Sequence, residues 1–449
     1  MNHKRTASLF LITGLTTMVL GLMFGVLGGF QYILPDFLKE PLTFQKTRPL
    51  HVYLVISFIF SSAVGCVYYF LPGVAGRKLY SPWLAFVHWL CHSLIIAVVI
   101  TGFFCGHFSG REYLEFPPAM ALVILGSWSL LIVNFFKTMP ISFHRQPVYV
   151  WSWATGIIFF FITVTEAHLW VLPYFHNNII RDLTVQWKAL GSMVGSWNML
   201  VYGTTIYVME RITNDKTVGQ SKTAFFFYFL SLTNLMFNWG HHTYIVPASP
   251  VVKEVSYIIS MTELLFIGKI IYTWRQTYIA ARLNYHLLPY RFFTAGDFWV
   301  FLNLILAIII SVPAVNLYTH GTHITVAHAM GTTIGINTNL LLGCLLFVAF
   351  DRAPEFAARY KKYFMVSISL LNISLLVFWA ALLICGVIKS NDALNSVPFA
   401  TMMMHLQPWF VMFTAAGVCI MISLFLILFP LISIFFQSRN IAGKEIFVS

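Results

Sequence analysis

The stretch Thr319–Met330, THGTHITVAHAM, decides the reading of this chain. It puts three histidines, His320, His323 and His328, and a methionine at the mouth of an apolar segment running from Ile324 to Phe350. An imidazole costs free energy inside a bilayer, so several together mark a functional site. His328 and Met330 are two residues apart. On a helix that is about 200° of rotation, so the two side chains leave on opposite sides. One helix can then offer a ligand to each of two different groups.

Composition sets the class. The chain has 449 residues, of which 59% are hydrophobic and 9% charged, with mean hydropathy +0.79. Soluble domains carry about 25% charged residues, so an all-α integral membrane protein is expected. Apolar stretches long enough to span lie near 7–30, 51–70, 82–106, 119–136, 148–168, 190–209, 223–240, 252–274, 296–316, 324–350, 366–388 and 410–436. That makes a bundle of about twelve transmembrane helices. The connecting loops leave no room for a soluble domain, so residues 1–449 read as one transmembrane domain.

The net charge of +12 does not point to nucleic acid, because of how it is distributed. Most of the 27 Lys and Arg, Arg439 and Lys444 of the C-terminal tail among them, fall on one side of the expected membrane. Lys39, Lys46, Arg48, Arg111, Arg181, Lys188, Lys253 and Lys389 fall on the other, and Lys269 falls within a span. By the positive-inside rule both termini are expected in the cytoplasm. The six cysteines lie in or beside apolar spans without a CxxC pair and read as small core residues.

Other polar groups share the depth of His328. His51 opens the second span, after a loop holding Pro35, Pro41 and Pro49. His241 and His242 follow the seventh span in GHHTY, and neutral imidazoles in pairs suit Cu, Fe or Zn. Glu263 lies about two turns into the eighth span, where a carboxylate needs a partner, a proton or a metal. The loop after the third span reads GREYLEFPP, and its Glu112 and Glu115 suit either a solvated Arg–Glu pairing or a hard cation. His88 and His92 share one face of the third span and can hold a metal or bond to neighbouring helices. Glu166 and His168 close the fifth span and read as a structural hydrogen-bonded pair, with a metal ligand as the alternative. The sixth span, LGSMVGSWNMLVYGTTIYVME, has no histidine and no acid before Glu210.

Taken in order, GREYLE, GHH, the eighth-span glutamate and THGTxxTxAH resemble the haem-copper oxidase superfamily. Within it, the chain resembles the catalytic large subunit of cytochrome-c-dependent nitric oxide reductases. The resemblance implies two haem b-type groups. His328 would carry the high-spin haem, and His51 with Met330 the low-spin haem; the family has histidine at the Met330 position, and methionine can ligate haem iron. His241 and His242 would hold a non-haem iron, or copper as in oxygen reductases. Glu263 would tune that site and pass protons, with a possible place among the metal ligands. Glu112 or Glu115 would match a calcium-linked glutamate. The family also has a metal histidine on span six and a glutamate four residues later. Those places fall on Leu190 and Val194, or with a one-residue shift on Gly191 and Gly195, and neither register supplies a ligand. Either Glu263, a water, or a group such as Met193 or Asn198 completes the set, or the metal is weak or absent.

The implied activity is reduction of 2 NO to N2O. The partner would be a c-type cytochrome or cupredoxin-like donor, with membrane lipid around the bundle and no nucleic acid. The location would be the bacterial cytoplasmic membrane. The alternatives are a cbb3-like oxygen reductase, which needs three copper histidines, and a haem electron-transfer or sensing subunit without the second metal.

Overall fold

The computed structural model describes residues 3–140 and 142–437; Arg439 and Lys444 lie outside the described residues. Long helices dominate, and no strand occurs among the described residues. They are α1 (His3–Ile33), α2 (Phe44–Ala75), α3 (Pro82–Phe104), α4 (Ala119–Thr138), α5 (Val148–Ala167), α6 (Ile179–Thr213) and α7 (Lys222–Phe237). There follow α8 (Pro250–Met261, resuming as Glu263–Asn284), α9 (Leu288–Ser311), α10 (His323–Arg352), α11 (Lys361–Leu394) and α12 (Phe399–Gln437). Among the described residues, 10 helices are long and apolar enough to cross a bilayer. The other two of the twelve expected are α6 and α7. α6 opens on polar turns holding Arg181, Asp182 and Lys188. α7 has only 16 residues, about 24 Å of helix.

The bundle is organised around α2 and α10, the two most buried spans. α1 packs along α2 and α12, α5 along α6, and α9 along α10, while α8 stays peripheral. α2 begins at Phe44, earlier than the sequence suggests, and continues through Pro49. A proline near a helix start loses only one backbone bond, and here that bond lies at the exposed end. His51 therefore sits about two turns inside the helix rather than at its mouth.

Two helices change pitch where they matter. α10 is regular over His323–Met330 and then widens into a π-helical stretch, Gly331–Thr338. Asn337 Nδ2 donates to the Thr332 carbonyl at 2.9 Å and Thr338 Oγ1 to the Thr333 carbonyl at 2.8 Å, which holds the wide turns. Such stretches cluster at functional sites. α8 breaks at Thr262, whose hydroxyl donates back to the Ile259 carbonyl at 2.6 Å. Glu263 thereby falls in the first turn of a new helical segment, where the peptide dipoles favour negative charge.

Below the π-helical stretch, polar side chains join three helices. Trp299 Nε1 of α9 donates to Asn372 Oδ1 of α11 at 2.9 Å, and Asn339 Nδ2 of α10 donates to the same oxygen at 3.1 Å. With no water to replace them, such bonds hold helices together in hydrocarbon. Asn372→Leu leaves Trp299 Nε1 without its acceptor and takes one of the two acceptors of Asn339 Nδ2, which keeps the Gly335 carbonyl, and is expected to cost about 1–3 kcal/mol. Thermal unfolding of the purified protein in detergent checks this; an unchanged midpoint would count against this network as a tie.

Candidate functional site

The histidine pair rides on a tight 3-10 turn, Asn238–Thr243, that continues α7. The rings of His241 and His242 lie 4.3 Å apart, centre to centre. Trp187 of α6 stacks nearly parallel on His242, at 4.6 Å and 9°. His320, from the loop before α10, brings its ring to 5.7 Å from His242. His328 lies within Coulombic reach of both members of the pair. The structure thus gathers α6, the α7 turn and the head of α10 around one point.

Glu263 joins this point through Asn238. Asn238 Nδ2 donates to Glu263 Oε1 at 3.2 Å. Its Oδ1 accepts the Nδ1–H of His241 at 3.1 Å and the hydroxyl proton of Ser260. Ser256 in turn donates to the Asn238 carbonyl at 2.9 Å. The bond at Nδ1 fixes the tautomer of His241 and leaves Nε2 free, the arrangement usual for a metal-bound imidazole. Glu263 Oε2 is buried without a hydrogen-bond partner, and so is His242 Nδ1. The Tyr202 hydroxyl of α6 lies within electrostatic reach of Glu263.

α6 supplies no ligand in either register. A Cβ at Gly191 would fall 2.6 Å from Trp239 Cβ, and one at Gly195 would fall 2.5 Å from Leu235 Cγ. α6 therefore packs on α7 and its turn too closely for an imidazole or carboxylate at these places. Leu190 is buried and Val194 packs on the hydrophobic core. Met193 faces another cavity, beside Tyr53 and His92. Asn198 keeps a buried Oδ1 without a partner. Among the described residues, no three His, Cys, Asp or Glu side chains close on one ion. The donors present fit a two-imidazole metal site with a carboxylate held nearby, and do not fit a closed three-ligand cage.

The haem positions expected from the sequence differ in surroundings. His51 turns toward α1: its Nδ1–H donates to the Gly21 carbonyl at 2.7 Å, which again leaves Nε2 free. A Cβ at Gly25 would sit 2.7 Å from the His51 ring, so only glycine leaves room for it there. His328 lies beside the Asn303 backbone carbonyl, and its Nδ1 is buried without a hydrogen-bond partner. Met330 packs partly buried against the core, two residues on. These side chains fit axial ligation of two haems.

Glu112 and Glu115 both face Arg48, whose guanidinium forks to Glu112 Oε1 at 2.8 Å and Glu115 Oε1 at 3.0 Å. Burial pushes the Glu115 carboxyl up from its ordinary value, and Arg48 opposes that shift. The guanidinium stands where a cation would, so calcium does not fit without displacing it. Glu166 and His168 do not pair. Glu166 bonds Lys188, and His168 donates its Nδ1–H to the Val164 carbonyl at 2.8 Å while stacking on Phe116. His88 and His92 bond hydroxyls of α2, those of Tyr68 and Ser61.

Asn238, Arg48, Trp187 and Tyr202 escaped the sequence reading. For two of them a signal was there. Asn238 precedes His241 by one turn of a 3-10 helix, and Arg48 precedes His51 by three residues.

Comparison with known proteins agrees with this geometry. A family model described as Cytochrome C and Quinol oxidase polypeptide I matches residues 5–419. A nitric oxide reductase subunit of Stutzerimonas stutzeri is 23% identical over 417 residues, covering 86% of this chain and 84% of that protein. The cytochrome c oxidase subunit 1 of Rhodobacter capsulatus is 25% identical over 161 residues, 34% of this chain and 29% of that one. A haem-copper terminal oxidase dimer solved by cryo-electron microscopy has the same fold, with TM-score 0.76 and 14% identity over 99% of this chain and 85% of its own. A match across nearly the whole length, on a helical membrane bundle with these histidines, makes this chain a member of the cytochrome c and quinol oxidase polypeptide I family, within the haem-copper oxidase superfamily.

Proposed function

We propose that this chain is a nitric-oxide-reductase-like membrane enzyme, combining two NO, two electrons and two protons into N2O and water. The observation that carries this reading is the hydrogen-bonded run from Glu263 through Asn238 to His241. It ties a buried carboxyl to the imidazole pair, so a proton and the metal-binding nitrogens reach the same place. The similarity to a nitric oxide reductase chain, over 86% of this chain and 84% of that one, supports the same substrate.

His328 holds the high-spin haem, His51 and Met330 hold the low-spin haem, and His241 with His242 holds a non-haem iron or copper. When bound, these groups bind the gas and deliver single electrons. The protein's own part is positioning and proton handling. Asn238 fixes the ring of His241, and Trp187 fixes that of His242. Glu263 Oε2, free of other partners, carries the proton. Once the proton has left, the Asn238 amide and the first turn of the α8 segment stabilise the carboxylate. Electrons come from a c-type cytochrome or cupredoxin-like partner. The chain lies in a bacterial cytoplasmic membrane with both termini inside. No step is assigned to calcium.

A second reading has one specific observation behind it. α6 packs too closely at Gly191 and Gly195 to offer a ligand. If two imidazoles do not retain a metal, the chain is a haem electron-transfer or sensing subunit. The same packing leaves no third metal histidine for a cbb3-like oxygen reductase or for a nitric oxide reductase; the eighth-span glutamate, Glu263, is the feature that favours the latter.

Glu263→Gln keeps the amide contact and removes the proton. It is expected to slow NO consumption at an NO electrode by on the order of 100- to 10,000-fold while haem per chain stays the same. NO turnover at the wild-type rate would remove Glu263 from the reaction. Met330→His exchanges a thioether for an imidazole and is expected to lower the potential of one haem. A spectroscopic redox titration reads the shift, and unchanged potentials for both haems would exclude Met330 as a ligand.

A further inference from the structure

The loop between α3 and α4 brings two carboxylates to one point. Gly110 and Tyr113 both take left-handed backbone, with φ of +77° and +64°, which folds GREYLE back on itself. The Ser109 N–H closes the turn on the Glu115 carbonyl at 2.7 Å, and Ser109 Oγ donates to the Leu114 carbonyl at 3.0 Å. The loop's own cation does not serve these acids. Arg111 turns to α6, where it bonds Asp182 and Gln186, and it lies over the Trp170 ring at 4.6 Å. The positive charge at the carboxylates comes from α2 instead, through the two terminal nitrogens of Arg48.

Glu115 is the more demanding of the two acids. Its side chain is only 8% exposed, and its Oε2 is buried without a hydrogen-bond partner. A carboxylate so placed needs a cation or a proton. Carboxylate oxygens converging from one short loop are the donors calcium takes. Here a guanidinium fills the point instead, and its planar fork matches two carboxylates at once. The side chains of Arg48 and Glu112 are 36% and 38% exposed, so an ion reaches the pair from solution without unfolding. Arg48 also stands three residues before His51, close to one helical turn, and within Coulombic reach of it. The fork therefore pins the loop over the end of α2 that carries His51.

We infer that Arg48 is a resident cation that does the work of a divalent ion: it closes a latent calcium site formed by Glu112 and Glu115. Its charge is held by the chain itself, so no chelator removes it and the loop stays in place without calcium. Two carboxylates face a single positive charge, so taking Arg48 away leaves the full pair open to a divalent cation. The inference does not depend on the proposed chemistry at His241 and His242, because it concerns cation binding and no reaction.

The test uses the purified full chain in detergent, titrated with terbium, whose luminescence a nearby tyrosine such as Tyr113 sensitises, and then with calcium as competitor. The wild-type chain is expected to hold no terbium that calcium displaces, and to unfold at the same temperature in calcium as in EGTA. Arg48→Ala is expected to bind about one calcium per chain, with a dissociation constant on the order of 0.1–1 mM. Calcium at ten times that constant is expected to raise its unfolding midpoint by about 1–3 °C. Arg48→Lys keeps the charge and is expected to stay closed to calcium. Adding Glu112→Gln and Glu115→Gln to Arg48→Ala is expected to abolish the binding. Loss of an ion pair alone would weaken the loop without creating calcium affinity, so binding is the deciding readout. Calcium uptake by the wild-type chain, or its destabilisation by EGTA, would overturn the inference. So would an Arg48→Ala chain that ignores calcium, or binding that survives without the two carboxylates.

Discussion

A carboxylate surrounded by hydrocarbon has to be answered by another group, and in this protein Asn238 answers Glu263. One amide side chain takes on both tasks at the centre of the site. Its nitrogen supports the carboxyl, and its oxygen fixes the imidazole of His241. Remove it, and Glu263 and the imidazole pair become independent. The break in α8 serves the same bond, because it turns Glu263 into the first turn of a helical segment facing the α7 turn.

The scaffold explains why α6 brings no imidazole or carboxylate to this point. α6 approaches the α7 turn at Gly191 and Gly195, which brings Trp187 flat against His242. That closeness excludes any longer side chain from the same face. What α6 gives instead is stacking surface and, deeper, the Tyr202 hydroxyl. The site is therefore built mainly from the 3-10 turn and the head of α10, with His320 as a third imidazole close by. On the α1–α2 side, the Gly21 carbonyl and the bare face at Gly25 seat His51. The two imidazoles expected to carry haems are thus held by different neighbours.

Much of this was legible in the chain itself. Apolar length announces helices in any membrane protein, and His51, the GHH pair, Glu263 and THGTHITVAHAM stand out because imidazoles and acids are costly there. The missing span-six ligands were visible as Leu190, Val194, Gly191 and Gly195. What was hidden depends on contacts between distant segments. Arg48 reaches across more than sixty residues to Glu112 and Glu115, and no local pattern encodes that. Glu166 and His168 looked like partners because they are two residues apart, yet each bonds elsewhere. The π-helical widening after Met330 is set by side-chain bonds inside α10 and has no simple hydrophobic period.

The proposed site pairs haem with a metal held on only two imidazoles. Elemental analysis of the purified protein, combined with a haem assay, addresses it most directly. Two haems per chain and one further iron or copper are expected, with His241→Ala losing that metal and keeping both haems. Two haems with no third metal in the wild-type chain would contradict the claim and leave the electron-transfer or sensing reading.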